Sequence, residues 1–432
     1  MKKDNSKDNV STPASKNIKL LTKYFEDGCK KPGHESIGVE IEHFVVTKQN
    51  DSLVNYFGDK GINVLLKEIA PHFDEMSFST SDQDSKKYIL ALRTKDCYIS
   101  LEPGAQLEMS LGTFTKIKDF LSIYNKMRSI IDPVLDLYGY KLVTKGYRPQ
   151  GLVQHVELIP SLRYDMMCSY FKKLGGTGIK MMCQTAATQV SIDYNSEADF
   201  IKKFRLANIL TPIFAFITDN ASIYENQDGH NMIRTMIWNS VDSDRSLFAH
   251  NALDKDNFGF VDYAEYVYNR PPIMIPFKDS LFFTDKALTK DIYSDKILTS
   301  HEIQHLLSIF FPFVRLKNYI EIRMADSMPI EHVLGFIALI KGLFYNKATL
   351  NELLQLFSSV DSEMAFNAFE ALKNHGINST IYGMKLKDLL SKFVSTASAN
   401  LPLDEKLFLH EFANAQIANK YNFDLDFATI AI

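Results

Sequence analysis

The chain has 432 residues, 46% apolar and 23% charged, enough to bury a large core, with no internal repeat or low-complexity linker. With 48 Lys and Arg against 52 Asp and Glu the net charge is -4, and the absence of a basic stripe excludes nucleic acid as a partner. The most apolar stretch, "VLGFIALIKGLFY" (333 to 345), contains Lys341 and falls well short of the roughly 20 residues a membrane span needs, so no membrane partner is expected.

Taken in chain order, residues 1–17, "MKKDNSKDNVSTPASKN", are polar with no apolar run behind them, and read as a loose tail ahead of one domain over 18–432. Extended segments are predicted at 37–47, 97–101, 105–110, 140–144, 186–194 and 318–324. Apolar spacing predicts helices within 61–73, 114–139 and 197–221. From about 330 the pattern is helical almost to the end, as in "EMAFNAFEALKNHG" with Gly376 as its stop, and this part is expected to pack outside the sheet. The class is α+β or α/β. Four cysteines, Cys29, Cys97, Cys168 and Cys183, show no CxxC spacing, which fits a reducing, cytoplasmic setting and neither a zinc ribbon nor a disulfide framework.

Four of the predicted strands carry an unusual face. In "GVEIEHFVV" (38 to 46), Glu40 and Glu42 leave the same side of an otherwise apolar strand. Glu102, Gln106 and Glu108 share parity in "SLEPGAQLEMS", although Pro103-Gly104 can bend the chain between them. Gln189, Ser191 and Asp193 face together in "ATQVSIDY", as do Glu321 and Arg323 in "YIEIRMAD". A solvated outer sheet would show such alternation too, but would mix Lys, Thr and Ser with its acids. If the faces converge, Glu40, Glu42, Glu102, Glu108 and Glu321 share one basin, and their mutual repulsion calls for cations. Carboxylates without His or Cys are hard ligands, which points to Mg²⁺ or Mn²⁺ and, through the open positions magnesium keeps for phosphates, to ATP. No GxxxxGK[ST] loop is present, and the glycines of "LGGTGIK" (174 to 180) read as a turn.

The blocks "GVEIEHF", "SLEPGAQLEMS", "IPSLRYDMM", "MMCQTAATQVSIDYNSEADFIKKFR", "RTMIWNSVDSDR" and "FFPFVRLKNYIEIRMADSMP", in that order over roughly 35 to 360, resemble the successive signatures of glutamate–cysteine ligase of the plant and proteobacterial type. The resemblance implies an α+β, glutamine-synthetase-like carboxylate–amine ligase fold, with a curved, mainly antiparallel sheet, a concave active-site face and helices outside. It implies ATP-dependent joining of the γ-carboxylate of glutamate to the amine of cysteine, the first step of glutathione synthesis, by a monomer or homodimer using Mg²⁺ or Mn²⁺. Carried over by residue, it makes Glu40, Glu42, Glu102, Glu108, Gln189 and Glu321 the metal set, with Glu102 and Arg323 catalytic and Arg323 on the transferring phosphoryl group. Arg163 and Arg234 would hold the glutamate carboxylate, Trp238 would wall that pocket, and Arg245 would lie nearer the nucleotide.

Departures from the family pattern, Gln184 and Ala186 where Arg and Cys are common in plant members, remove the basis for plant-type disulfide control; "RSLF" where a glycine is usual and "RMADSMP" without the usual glycine pair bear on the acceptor pocket and leave a related ligase with another amine acceptor as the alternative. A remote alternative is a zinc metalloprotease, from "HEIQH" (301 to 305). Thr299 and Glu302 offer a simpler account, a capping box opening a helix. The sequence also predicts that Glu102→Gln and Glu321→Gln behave alike, each relieving repulsion while removing a ligand.

Overall fold

A computed structural model describes residues 12–80, 87–278 and 280–423. Nine strands form one sheet: β1 (Ile37–Thr47), β2 (Glu75–Thr80), β3 (Lys87–Arg93), β4 (Cys97–Leu101), β5 (Leu107–Phe114), β6 (Tyr140–Val143), β7 (Ala187–Ile192), β10 (Val314–Leu316) and β11 (Ile320–Asp326), while β8 (Met274–Phe277) and β9 (Ser280–Phe283) make a separate hairpin. The order is β10-β11-β7-β1-β5-β4-β3-β2, with β6 against the far half of β1, and every pairing is antiparallel. This is the α+β class, with the sheet flanked by helices.

Strand alternation divides the sheet into two chemically different faces. Val39, Ile41, Val190, Ile192, Ile320 and Ile322 are buried in the main core on one side. The other side of the same strands carries Glu40, Glu42, Gln189 and Glu321, and the register places Glu42 opposite Glu108 and Glu40 opposite Gln189. Irregularities in register between Ile37 and Val39 on β1, and between Ile322 and Ala325 on β11, bend these strands where they pass the acidic face.

The helices in chain order are α1 (Pro13–Glu26), α2 (Ile62–Ile69), α3 (Ile117–Tyr138), α4 (Leu162–Leu174), α5 (Gly178–Gln184), α6 (Glu197–Ile217), α7 (Ile233–Asn239), α8 (Phe260–Tyr268), α9 (Thr289–Ile292), α10 (Ser300–Ile309), α11 (Ile330–Phe344), α12 (Lys347–Leu356), α13 (Ser362–His375), α14 (Leu386–Ala399) and α15 (Leu403–Phe412). Helix α6 is apolar nearly all round and is buried along its C-terminal two-thirds, between β11 on one side and α12 and α13 on the other. The run "VLGFIALIKGLFY" lies in α11, packed by α14 and α15. Among the described residues no single helix is long and apolar enough to cross a membrane.

The expected tail is corrected at its end. Thr12 caps α1 by accepting from the Ser15 N–H, Pro13 opens the helix, and Asn17 is fully buried, donating to Lys296 O at 2.8 Å and accepting from Leu298 N at 2.8 Å. Residues 13–17 therefore belong to the folded part, and residues 1–11 lie outside the described residues. The predicted helices at 61–73, 114–139 and 197–221 are α2 with a short 3-10 turn, α3 and α6. Strands β2 and β3 were missed by the alternation reading, as were β8, β9 and β10. β8 to β10 are short, and β2 mixes polar and exposed apolar residues at an edge, where burial leaves little imprint.

Candidate active site

The polar face of the sheet opens into a cavity of about 260 Å³. Its floor comes from β1, β5, β7 and the β4–β5 turn, which supply Glu40, Glu42, Glu108, Gln189 and Glu102. Short helices wall it: α4 brings Arg163 and Tyr164, α7 brings Arg234 and Trp238, and Ser308 of α10 closes an end. α4 and α7 pack on α5, and α4 and α10 also meet the β8–β9 hairpin, so residues far apart in sequence converge over the polar face.

Three of the predicted metal ligands converge. Glu42, Glu102 and Glu108 each offer a carboxylate oxygen, and these oxygens lie within 4.8 Å of one another. Two of the acids are fixed by hydrogen bonds from the surrounding protein. Glu42 Oε2 accepts from the Ala187 N–H at 2.9 Å, and Glu108 Oε1 accepts from Ser100 Oγ at 2.7 Å and Ser110 Oγ at 3.3 Å. Burial pushes the Glu102 carboxyl well up, and Glu42 and Glu108 push it further. Glu108 is raised by burial and then by Glu42, against two serine hydroxyls that favour its charge. Glu42 is raised by burial in spite of Arg234. Glu40 reaches about 7, from burial and then Glu108 and Glu321. Carboxylates held this close are protonated or neutralised by a cation, and an all-oxygen donor set of this kind fits a hard divalent ion.

Glu321 is different, and its expected place in the metal set is corrected. It is fully buried and does not line the cavity; Arg315 Nε approaches one oxygen at 2.5 Å, Arg323 Nη1 the same oxygen at 2.8 Å, and Lys317 Nζ the other at 2.8 Å. Burial alone would raise its carboxyl, but Arg315, Lys317 and Arg323 together hold it well below the usual range. Glu321 is thus the shared counter-ion of a basic cluster. Gln189 is likewise a bridge rather than a free ligand: its Nε2 donates to Glu42 Oε1 at 3.1 Å and its Oε1 accepts from Arg323 Nη1.

Arg163 donates to Ser308 O at 3.0 Å, which links α4 to α10 at the cavity wall. Arg234 donates to Met324 O and Arg323 O, both at 3.0 Å, and its guanidinium lies 5.2 Å from the Trp238 ring, one helical turn on. Its Nε has no partner, nor does Trp238 Nε1. Arg245 is the misplaced one. It is fully buried and does not line the cavity, with each nitrogen bound, to Asp242 Oδ2 at 2.5 Å, Pro271 O at 3.1 Å and Tyr170 Oη at 3.1 Å, a structural guanidinium rather than a nucleotide contact.

Arg315 and Lys317 line the cavity and were missed. The signal was present, since "VRLK" alternates cations against Val314 and Leu316, but the strand is three residues long and borders a predicted one. Gln106, just past the β4–β5 turn, does not line the cavity; its Nε2 donates to Met182 O and Thr185 O. The zinc reading is corrected as well: Thr299 and Glu302 form the capping box of α10, Glu302 also binds Lys296 Nζ at 2.6 Å, and His305 Nε2 is bonded to Met274 O at 3.0 Å. Among the described residues the group able to hold a metal is Glu42, Glu102 and Glu108.

The sequence model of glutamate–cysteine ligase family 2 matches residues 36–413. The chain is 27% identical over 389 residues to the chloroplastic glutamate–cysteine ligase of Nicotiana tabacum, covering 88% of this chain and 73% of that protein. It is 28% identical over 394 residues to that of Medicago truncatula, covering 89% and 74%. A crystal structure of glutamate–cysteine ligase from Francisella tularensis in complex with AMP is similar with a TM-score of 0.46 and 9% identity, over 90% of this chain and 83% of that one, a likeness too distant to carry a site assignment.

Proposed function

Because the chain belongs to glutamate–cysteine ligase family 2, we infer that it joins the γ-carboxylate of glutamate to the amine of cysteine with conversion of ATP to ADP and phosphate. A carboxylate is a poor electrophile. Its oxygen attacks the γ-phosphorus of ATP to give γ-glutamyl phosphate and ADP, and the cysteine nitrogen then attacks the acyl carbon and releases phosphate. Both steps depend on alignment and charge neutralisation more than on acid–base groups, which suits a cavity rich in carboxylates and guanidinium groups.

The convergence of Glu42, Glu102 and Glu108 beside Arg163 and Arg234 in one cavity is the observation that carries this function. Glu42, Glu102 and Glu108 would hold Mg²⁺ or Mn²⁺, which when bound neutralises phosphate charge and orders the phosphates. Glu40, on the same floor, would lie beside that ion group. Arg163 and Arg234 would bind the α-carboxylate of glutamate, with Trp238 packed along its methylenes. Arg323, held by Gln189 and Glu321, would meet the transferring phosphoryl group, and Arg315 and Lys317 would extend that positive end of the site.

Phosphate release from ATP, measured with glutamate and a panel of amines, tests the function. Release that requires glutamate, cysteine and a divalent ion together is expected. Release with another amine but not cysteine would reassign the acceptor, and no release with any pairing would overturn the ligase function.

A further inference from the structure

The turn that carries Glu102 is fastened from behind by two side chains that do not line the cavity. Gln106 Nε2 donates to Met182 O at 3.1 Å and Thr185 O at 2.9 Å. Arg148 Nη2 donates to Gly104 O at 3.1 Å and Cys183 O at 3.2 Å, while its backbone N–H donates to Gln184 O at 2.8 Å. Between them these bonds join the 102–106 turn to the segment 182–185. That segment leads into β7, whose first N–H, from Ala187, holds Glu42. Two of the three converging carboxylates are thereby referenced to one stretch of backbone.

Arg148 is an expensive way to make such a clasp. It is only 3% exposed, its guanidinium stacks 4.7 Å from the Phe44 ring, its Nε has no partner, and among the described residues it forms no ion pair. Burial lowers it to about 10, with no carboxylate to offset the loss of water. A lone buried cation costs stability unless its donors are used, and here Nη2 alone binds main-chain carbonyls of the turn and its neighbour. The packing is tight: a Cβ at Gly104 would stand 2.7 Å from Cys183 O and 3.0 Å from Gln106 Oε1. Ala105, next in the turn, adopts the left-handed conformation with φ of 61°, which a non-glycine residue keeps only under tertiary constraint.

Resting on the metal-dependent ligase function proposed above, we propose that Arg148 and Gln106 are positioning residues that set the divalent-ion affinity of the Glu42, Glu102 and Glu108 group by clamping the Glu102 turn to residues 182–185. They act through the backbone and touch neither metal nor substrate. A clamp of this kind keeps the ligand oxygens at their spacing before the ion arrives, so its loss is felt as weaker ion binding.

Equilibrium dialysis of Mn²⁺ against the full-length protein without nucleotide, beside the glutamate KM at saturating metal, tests this. Arg148→Met keeps the packing on Phe44 and removes the donors, and Gln106→Met removes the other clasp. Each is expected to weaken Mn²⁺ binding by about tenfold or more. The glutamate KM is expected to stay within about twofold, since Arg163 and Arg234 are untouched. Folded variants that bind Mn²⁺ as tightly as the wild type overturn the proposal, and a lowered melting temperature with unchanged Mn²⁺ affinity counts the same way, as a purely structural role. If the Arg148 variant fails to fold, Arg148→Gln, whose side chain is too short to reach Gly104 O and Cys183 O, is judged by the same criterion. A wild-type protein that binds no Mn²⁺ would overturn the metal site itself; a wild type that binds Mn²⁺ beside unaffected variants would overturn only the clamp.

Discussion

Glu102 and Glu321 look equivalent in sequence, each an acid on a polar strand face, and the structure gives them opposite electrostatics. Burial and three neighbouring carboxylates raise Glu102, whereas three cations lower Glu321. Glu102→Gln should therefore leave the metal-free fold as stable as before or more so, while reducing turnover by more than about a hundredfold through loss of a ligand. Glu321→Gln should destabilise the protein by about 3–5 kcal/mol, because it strands buried cations that had shared one counter-ion. Urea unfolding of both variants in chelator separates them; equal stabilities would refute the assignment of Glu321 as a counter-ion. Arg234→Lys keeps the charge but loses the fork that reaches Met324 O and Arg323 O and the stack on Trp238. The glutamate KM should rise by about tenfold or more with a smaller effect on kcat, measured in steady-state assays.

Among the elements, α11 shows how an apolar run is used. Its glycines are contact points: a Cβ at Gly335 would overlap Phe412 and stand 2.5 Å from Phe408 O on α15, and one at Gly342 would stand 2.6 Å from Ala397 Cα on α14. Three helices approach backbone to backbone there. Gly335→Ala should destabilise by about 1–3 kcal/mol despite the better helix propensity of alanine, because the core has no slack for the methyl group. A denaturation midpoint at or above that of the wild type would show that α15 can retreat. Periodicity located α11 and α13 and the strands with strong alternation, since burial on one face writes a pattern into the residues that face it. It could not locate β10, whose three residues are too few for a pattern, nor follow Gln106 through the Pro103-Gly104 turn.

For the whole molecule, the acid cluster couples stability to pH and metal. Glu40 is raised to about 7, and Glu42, Glu102 and Glu108 are raised with it, so the native state binds protons that the unfolded chain releases. The stability Glu40 contributes is complete below the ordinary pKa near 4.5 and is lost as pH climbs through about 7, and the raised Glu42, Glu102 and Glu108 act in the same direction. Asp326, raised to about 7 by burial and Asp219, adds in the same direction. In chelator the melting temperature should fall between about pH 6 and about pH 8, and Mg²⁺ or Mn²⁺ should restore more of it at the higher pH, where fewer protons compete for the ligands. Scanning calorimetry with and without metal checks this; a metal-induced gain that shrinks as pH rises would contradict a carboxylate site.

The sequence by itself determined the strands with polar faces and the chemical character of the site, because alternation and residue type are local and survive without coordinates; the choice of α+β over α/β came from the family blocks. Its family blocks also named the two arginines and the tryptophan of the cavity wall. Only the tertiary structure decided which acids meet. Glu42, Glu102 and Glu108 converge because β1 and β5 pair in a register that sets Glu42 against Glu108 and the turn folds Glu102 over them. Glu321, two strands away, is captured instead by Arg315 from the adjoining strand, and Arg245 is enclosed by Asp242 and Tyr170. Whether a charge repels, binds or is neutralised depends on what register and packing bring within a few ångströms of it, and that is written in no single stretch of chain.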